Sequence, residues 1–291
     1  MSHPPILSGL AEIAERYQGF ILDLWGVIHD GEKPYPGVLD ALNRFKAAGQ
    51  RVVLLSNAPR RAEILAEVMT NMGVERLLYS GIMSSGEATY LELAAKSDPF
   101  FAALGRRLFH LGPNRDINVY ADLDYERVMK VAEADFVLNT GPVEFEHSLT
   151  DYESVLQEAA ARHLPMVCAN PDKVVMRLGV PVVCAGAIAD RYRQLGGQFI
   201  ERGKPDPAIY PPCLELLGIS DRSKILAVGD ALHTDIAGAN AAGIDALLIT
   251  GGIHAAELGV TWGENPSPEK LNQLYRQHGQ SPIAAMAAFR W

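Results

Sequence analysis

Phe20-Ile21-Leu22-Asp23-Leu24-Trp25-Gly26-Val27 changes character in its middle. An apolar run stops at a carboxylate, and a glycine-led turn follows. The same event recurs along the chain. Val52-Val53-Leu54-Leu55 stops at Ser56-Asn57, Ile225-Leu226-Ala227-Val228 at Gly229-Asp230, and Ala246-Leu247-Leu248-Ile249 at Thr250-Gly251-Gly252. Short runs rich in Val, Ile and Leu suit strands buried on both faces of a parallel sheet. Helical patterns lie between them: Val38 to Ala48, closed by Gly49, and Arg60 to Met72, closed by Gly73. A glycine after the last periodic residue stops a helix. Alternating strand and helix predicts an open α/β sheet. Ligands of such a sheet bind at the carboxyl ends of its strands, where Asp23, Ser56, Asn57 and Asp230 fall.

The middle of the chain repeats the pattern. Arg107 to Leu111, Phe136 to Asn139 and Met166 to Ala169 read as strands, and Glu87 to Lys96 and Asp151 to Arg162 as helices. Residues 85–202 are therefore expected to form a second α/β unit, inserted into a core built from residues 1–84 and 203–291. The tail holds one helical pattern, Pro268 to His278, and an apolar end with Met286, Phe289 and Trp291, expected to be a packing arm.

Composition narrows the function. The 291 residues are 48% hydrophobic, enough for a sizeable core, and carry a formal charge of −9. An acidic chain is poorly suited to nonspecific nucleic-acid binding. The three cysteines, Cys168, Cys184 and Cys213, are odd in number and widely spaced, which argues against a disulfide framework or a zinc cluster. Cys168 and Cys184 sit in apolar runs and are expected to be buried. With neither a signal-peptide pattern nor an apolar run near the ~20 residues of a membrane span, the expectation is a cytoplasmic protein with no membrane partner.

The strand-end groups form a chemical set. Asp23 can present one oxygen to a substrate and one to a metal. Ser56 and Asn57 offer donors for phosphate oxygens, and Lys204, held in Gly203-Lys204-Pro205-Asp206-Pro207, offers a cation. Asp230 and Asp235 add two carboxylates. Magnesium is a hard ion that takes oxygen ligands, so three acids and a lysine make a magnesium-and-phosphate constellation.

The order of these residues resembles the four motifs of the haloacid dehalogenase superfamily: Asp23 to Val27, then Ser56-Asn57, then Lys204, then Gly229-Asp230 with Asp235. The long insertion between the second and third motifs is similar to the type-2 cap of class IIA, the branch with pyridoxal phosphate, 4-nitrophenyl and N-acetylglucosamine-operon phosphatases. Ser56-Asn57-Ala58-Pro59-Arg60-Arg61, Ser84-Ser85-Gly86-Glu87-Ala88, Ala169-Asn170-Pro171-Asp172 and Gly203-Lys204-Pro205-Asp206-Pro207 resemble further segments of that branch. The resemblance runs from about Gly19 to Gly251. It implies a Rossmann-like core with an inserted α/β cap, and a magnesium-dependent phosphatase acting on a small phosphorylated metabolite such as a sugar phosphate or nucleotide. By the same resemblance Asp23, the Trp25 carbonyl and Asp230 hold magnesium, with Asp235 as ligand or neighbour. Asp23 is the nucleophile, and Ser56, Asn57 and Lys204 neutralise the transferred group. Arg60, Asn139 and Asp172 are candidate substrate contacts, and a homo-oligomer is compatible with the reading.

One position departs from the pattern. Family phosphatases carry Asp-x-Asp in the first motif, the second Asp protonating the leaving group and activating water. Here that position is Trp25, whose indole has no acid of useful pKa. His29, six residues past Asp23, is a substitute acid or a turn histidine before Asp30-Gly31. The departure keeps two alternatives open: a phosphotransferase, and a catalytically weak protein that binds a phosphorylated ligand.

Overall fold

The computed structural model describes residues 4–177 and 180–291. Strands are numbered in chain order. β1 (Ile6–Leu7), β2 (Gly19–Asp23), β3 (Arg51–Ser56) and β4 (Gly81–Ser84) come first. β5 (Arg107–Leu111), β6 (Glu126–Val128), β7 (Phe136–Asn139), β8 (Pro165–Cys168), β9 (Val174–Arg177), β10 (Val180–Val183) and β11 (Gln198–Glu201) follow, then β12 (Ile225–Gly229), β13 (Asp245–Ile249) and β14 (Ala284–Met286).

The chain divides into two units. The first contains residues 1–56, 63–83 and 204–291, and the second contains 57–62 and 84–203. The six residues 57–62 thus group with the second unit, whereas the sequence pattern places them in the core. Their hydrogen bonds explain it: Gly86 N donates to Ala58 O at 3.1 Å, and Arg61 grips Glu87 at 2.7 and 3.2 Å.

The first unit is built on a seven-stranded sheet in the order β1-β14-β13-β12-β2-β3-β4. β2 pairs in parallel with both β12 and β3, with Leu22 opposite Val228 on one side and Leu54 on the other. Every residue of β2 and β12 is buried, as their unbroken apolar character requires. The helix Val38–Ala47 buries Val38, Ala41, Leu42 and Phe45, one stripe at helical spacing. Phe45 lies on Phe20 of β2, ring centroids 4.0 Å apart. The tail is more than a packing arm: β14 is a strand paired in parallel with both β13 and β1.

The second unit has its own five-stranded sheet, β11-β8-β7-β5-β6, and a two-stranded ribbon of β9 and β10. Alternate residues of β7 feed two separate cores. Val137 packs with Leu156, Ile188 and Tyr192, and Phe136 and Leu138 pack with Phe101, Leu104 and Val119. All three cysteines are buried. Among the described residues no helix is long and apolar enough to cross a membrane.

Candidate active site

Parallel pairing of β12, β2 and β3 brings their carboxyl ends to one edge of the first unit. Asp23 closes β2, Ser56 closes β3, and Asp230 follows β12 directly. Asp235 lies one turn later, in the single π-helical turn Leu232–Ile236. Asp23, Asp230 and Asp235 each offer a carboxylate oxygen within 4.8 Å of the others. All three are buried, as are Ser56 and Lys204.

Lys204 ties the group together. Its Nζ donates to Asp23 Oδ1 and to Asp235 Oδ1, both at 2.6 Å, and to the Leu55 carbonyl at 3.3 Å. Main-chain donors fix the other acids. Ile253 N donates to Asp230 Oδ2 at 2.7 Å, and Ala231 N to Asp235 Oδ2 at 3.0 Å. Two glycines make room for Asp230: a Cβ built on either Gly26 or Gly252 would overlap its Oδ2. Gly26 also has a φ of +76°, which favours glycine there.

Three carboxylates and one ammonium leave an excess of negative charge when all are ionised. Burial, then the charges of Asp23 and Asp235, push the Asp230 carboxyl well above its ordinary range. A hard divalent cation relieves that repulsion, and an all-oxygen donor set suits magnesium. The residues therefore fit the metal that the sequence implies.

Trp25 is half-buried, with its ring edge-on to His29 at 5.1 Å between centroids. Gly31, with φ +101°, sits so close to the indole that a Cβ there would overlap it. His29 is buried, its Nδ1 accepting from Gly31 N at 3.0 Å. Burial lowers its pKa to about 4. At neutral pH it is an uncharged acceptor that pins the Asp30-Gly31 turn, a poor state for donating a proton.

The remaining candidates belong to the second unit. Asn57 Nδ2 donates to Asp172 Oδ1 at 2.8 Å, and Ser85 Oγ donates to Asn57 Oδ1 at 3.1 Å. Arg60 lies 3.5 Å from Asp116, a buried carboxyl whose pKa burial raises to about 6. Asn139 is fully buried; it donates to Ala185 O at 2.9 Å and accepts from Gly141 N at 3.1 Å. These bonds lock the turn that follows β7.

Sequence reading gave no role to Ile253, whose N–H holds Asp230. The signal was the Thr250-Gly251-Gly252 strand end, where two small residues let the backbone approach a carboxylate. Tyr210 was also missed. It is buried, with its hydroxyl 3.5 Å from the Asp235 carbonyl.

The chain resembles known proteins over most of its length. A family model described as haloacid dehalogenase-like hydrolase matches residues 20–126, and one described as HAD-hydrolase-like matches residues 201–274. The chain is similar to a haloacid dehalogenase-like family hydrolase from Brucella suis 1330. The identity is 34% and the TM-score 0.83, covering 98% of this chain and 100% of the other. It is 26% identical over 251 residues to the D-glycerol 3-phosphate phosphatase of Mycobacterium tuberculosis, covering 85% of this chain and 67% of that protein. A crystal structure of the glycerol phosphate phosphatase of that organism in complex with magnesium shares the fold. Its TM-score is 0.66 at 21% identity, covering 91% of this chain and 78% of that one.

Proposed function

The chain belongs to the haloacid dehalogenase-like hydrolases, and from that membership we propose that it is a magnesium-dependent phosphatase of a small phosphate monoester, with Asp23 as its nucleophile. One observation carries the reading: three buried carboxylates whose oxygens lie within 4.8 Å of one another, two of them bridged by one lysine.

Lys204 donates to Asp23 Oδ1 and so leaves Oδ2 for in-line attack on phosphorus. The Asp23–phosphorus bond forms as the ester bond breaks, and the leaving oxygen departs with the electron pair. Water then attacks the phosphoaspartate and releases phosphate, returning Asp23 to its starting state. Asp235 anchors Lys204 on its other side, so the cation that neutralises the transferred group is positioned before substrate arrives. Ser56 and Asn57 are the proposed donors to phosphate oxygens. Asp23, Asp230 and the Trp25 carbonyl, with Asp235 beside them, would hold magnesium, which would supply positive charge against the phosphate. Arg60, Asn139 and Asp172 remain the candidate substrate contacts, Asn139 being the most deeply buried of the three.

The test is a phosphate-release screen over a panel of phosphate esters, glycerol 3-phosphate included, with magnesium and with a chelator. Release that needs magnesium supports the reading, and no release on any ester refutes it. Trp25 favours a second reading, a protein that binds a phosphorylated ligand with little turnover, and that reading expects binding without release. Adding alcohol acceptors distinguishes hydrolysis from phosphoryl transfer.

A further inference from the structure

The first unit holds a second group of metal-binding side chains, of different chemistry. The chain leaving β13 passes through Gly251-Gly252-Ile253 and places His254 at the head of the short helix Ala255–Leu258. Glu257 follows one turn on, and His278 ends the helix Pro268–His278. Donor atoms of His254, Glu257 and His278 all lie within 4.8 Å of one another. The His278 ring is 5.0 Å from His254 and 6.2 Å from His233.

We propose that His254, His278 and Glu257 form a second metal site that takes a zinc-class divalent cation, with water completing its coordination. Two imidazoles and a carboxylate suit zinc or cobalt, whereas magnesium prefers the all-oxygen cluster at Asp23. His254 Nδ1 and Glu257 Oε2 stand 3.6 Å apart, too far for a good hydrogen bond. With bonds of about 2.0–2.1 Å, two ligands on one tetrahedral zinc are separated by roughly 3.3 Å. Glu257 is exposed and His278 half-buried, so both have room to close the remaining distance.

This site touches the first one. His254 Nε2 accepts from Leu232 N at 3.2 Å, and Leu232 opens the turn that carries Asp235. A neutral imidazole bound to metal through Nδ1 carries its proton on Nε2 and no longer accepts. Filling the histidine site therefore sets two donors face to face and loosens the Asp235 turn. Zinc at one site opposes magnesium at the other, and the opposition is reciprocal.

The experiment titrates cobalt into the full chain held in millimolar magnesium and reads visible absorption. The wild type should bind one equivalent with the intense bands of a tetrahedral site. Glu257→Gln and His278→Ala should each weaken binding by about tenfold or more, since loss of even an outer partner costs that much. No binding by wild type, or unchanged titration in both variants, overturns the site. A second arm measures the magnesium needed for half-maximal turnover: zinc should raise it in wild type and not in Glu257→Gln. An equal rise in both overturns the coupling. This arm rests on the proposed phosphatase activity and the absorption arm does not, so absence of turnover would count against that activity while leaving the site standing or falling on its spectrum.

Discussion

Lys204 Nζ lies 2.6 Å from Asp23 Oδ1 and is itself buried, so the proposed nucleophile and its counter-ion form one desolvated pair. Breaking a buried pair by deleting one partner strands the other charge, at about 3–5 kcal/mol. Lys204→Met strands two carboxylates, because Asp235 shares the same ammonium. The variant is expected to lose turnover and to melt well below wild type in chelator, with magnesium restoring part of the loss. Thermal unfolding with and without magnesium checks this; an unchanged melting temperature in chelator would contradict the pairing.

Asp23→Asn should behave in the opposite sense. It removes one negative charge from a crowded buried group, so in chelator the variant should melt at or above the wild-type temperature. Turnover should be abolished, since an amide is a far weaker nucleophile. Calorimetry beside a phosphate-release assay decides it, and activity near wild type would remove Asp23 from the mechanism.

Trp25 is expected to set the leaving-group preference. Without an acid at that position, esters with weakly basic leaving groups should be favoured, so the ratio of activity on 4-nitrophenyl phosphate to that on glycerol 3-phosphate should be large. Trp25→Asp is expected to narrow the ratio by up to roughly 10²–10⁴-fold, the range of a positioned general acid. His29→Ala should leave it unchanged, because His29 is uncharged at neutral pH with a pKa of about 4. A wild-type rate that ignores leaving-group pKa, and stays so in His29→Ala, would place the acid elsewhere.

Gly252→Ala should weaken the metal rather than the fold. The new Cβ displaces the Asp230 carboxylate, while Gly252 itself needs no positive φ. The magnesium concentration for half-maximal turnover is expected to rise by about tenfold or more. A magnesium titration that superimposes on wild type would show that Asp230 is not a ligand.

His110 links stability to pH. Burial, reinforced by the charge of Arg127, lowers its pKa from 6.5 to about 4. Between those values the unfolded chain binds a proton that the folded chain refuses, so stability rises with pH there. The contribution is full above pH 6.5, is lost as pH falls toward 4, and amounts to about 3 kcal/mol at most. His110→Gln is expected to flatten part of the acid side of the stability profile, measured by denaturant titration at stepped pH. An unaltered slope would mean that His110 does not titrate in this window.

The core strands and their polar ends were legible because burial on both faces leaves β2, β3 and β12 uninterrupted apolar runs. Asp23, Ser56 and Asp230 could then be placed at one edge by topology alone. Lys204 was found through motif order and not through any local signal. Elements whose partners are distant in sequence were harder. The helix expected from Arg60 begins at Ala62, where the Ala62 N–H bonds to the side chain of Glu87. β14 has three residues, Ala284–Met286, too few to show an alternation, and its strand character comes from β13 and β1 on either side. The histidine group was invisible for a similar reason: His233, His254 and His278 have no spacing that announces them.

The central pairing of β2 with β12 also has a temporal meaning. Gly19 lies opposite Ile225, so during synthesis the first apolar strand waits about two hundred residues for its neighbour. The strands of the five-stranded sheet, Arg107 to Glu201, emerge as one uninterrupted stretch before that neighbour exists. The inserted unit can therefore acquire its structure on the ribosome first, while the segment bearing Asp23 remains unpaired on one side and exposed to chaperones or to aggregation.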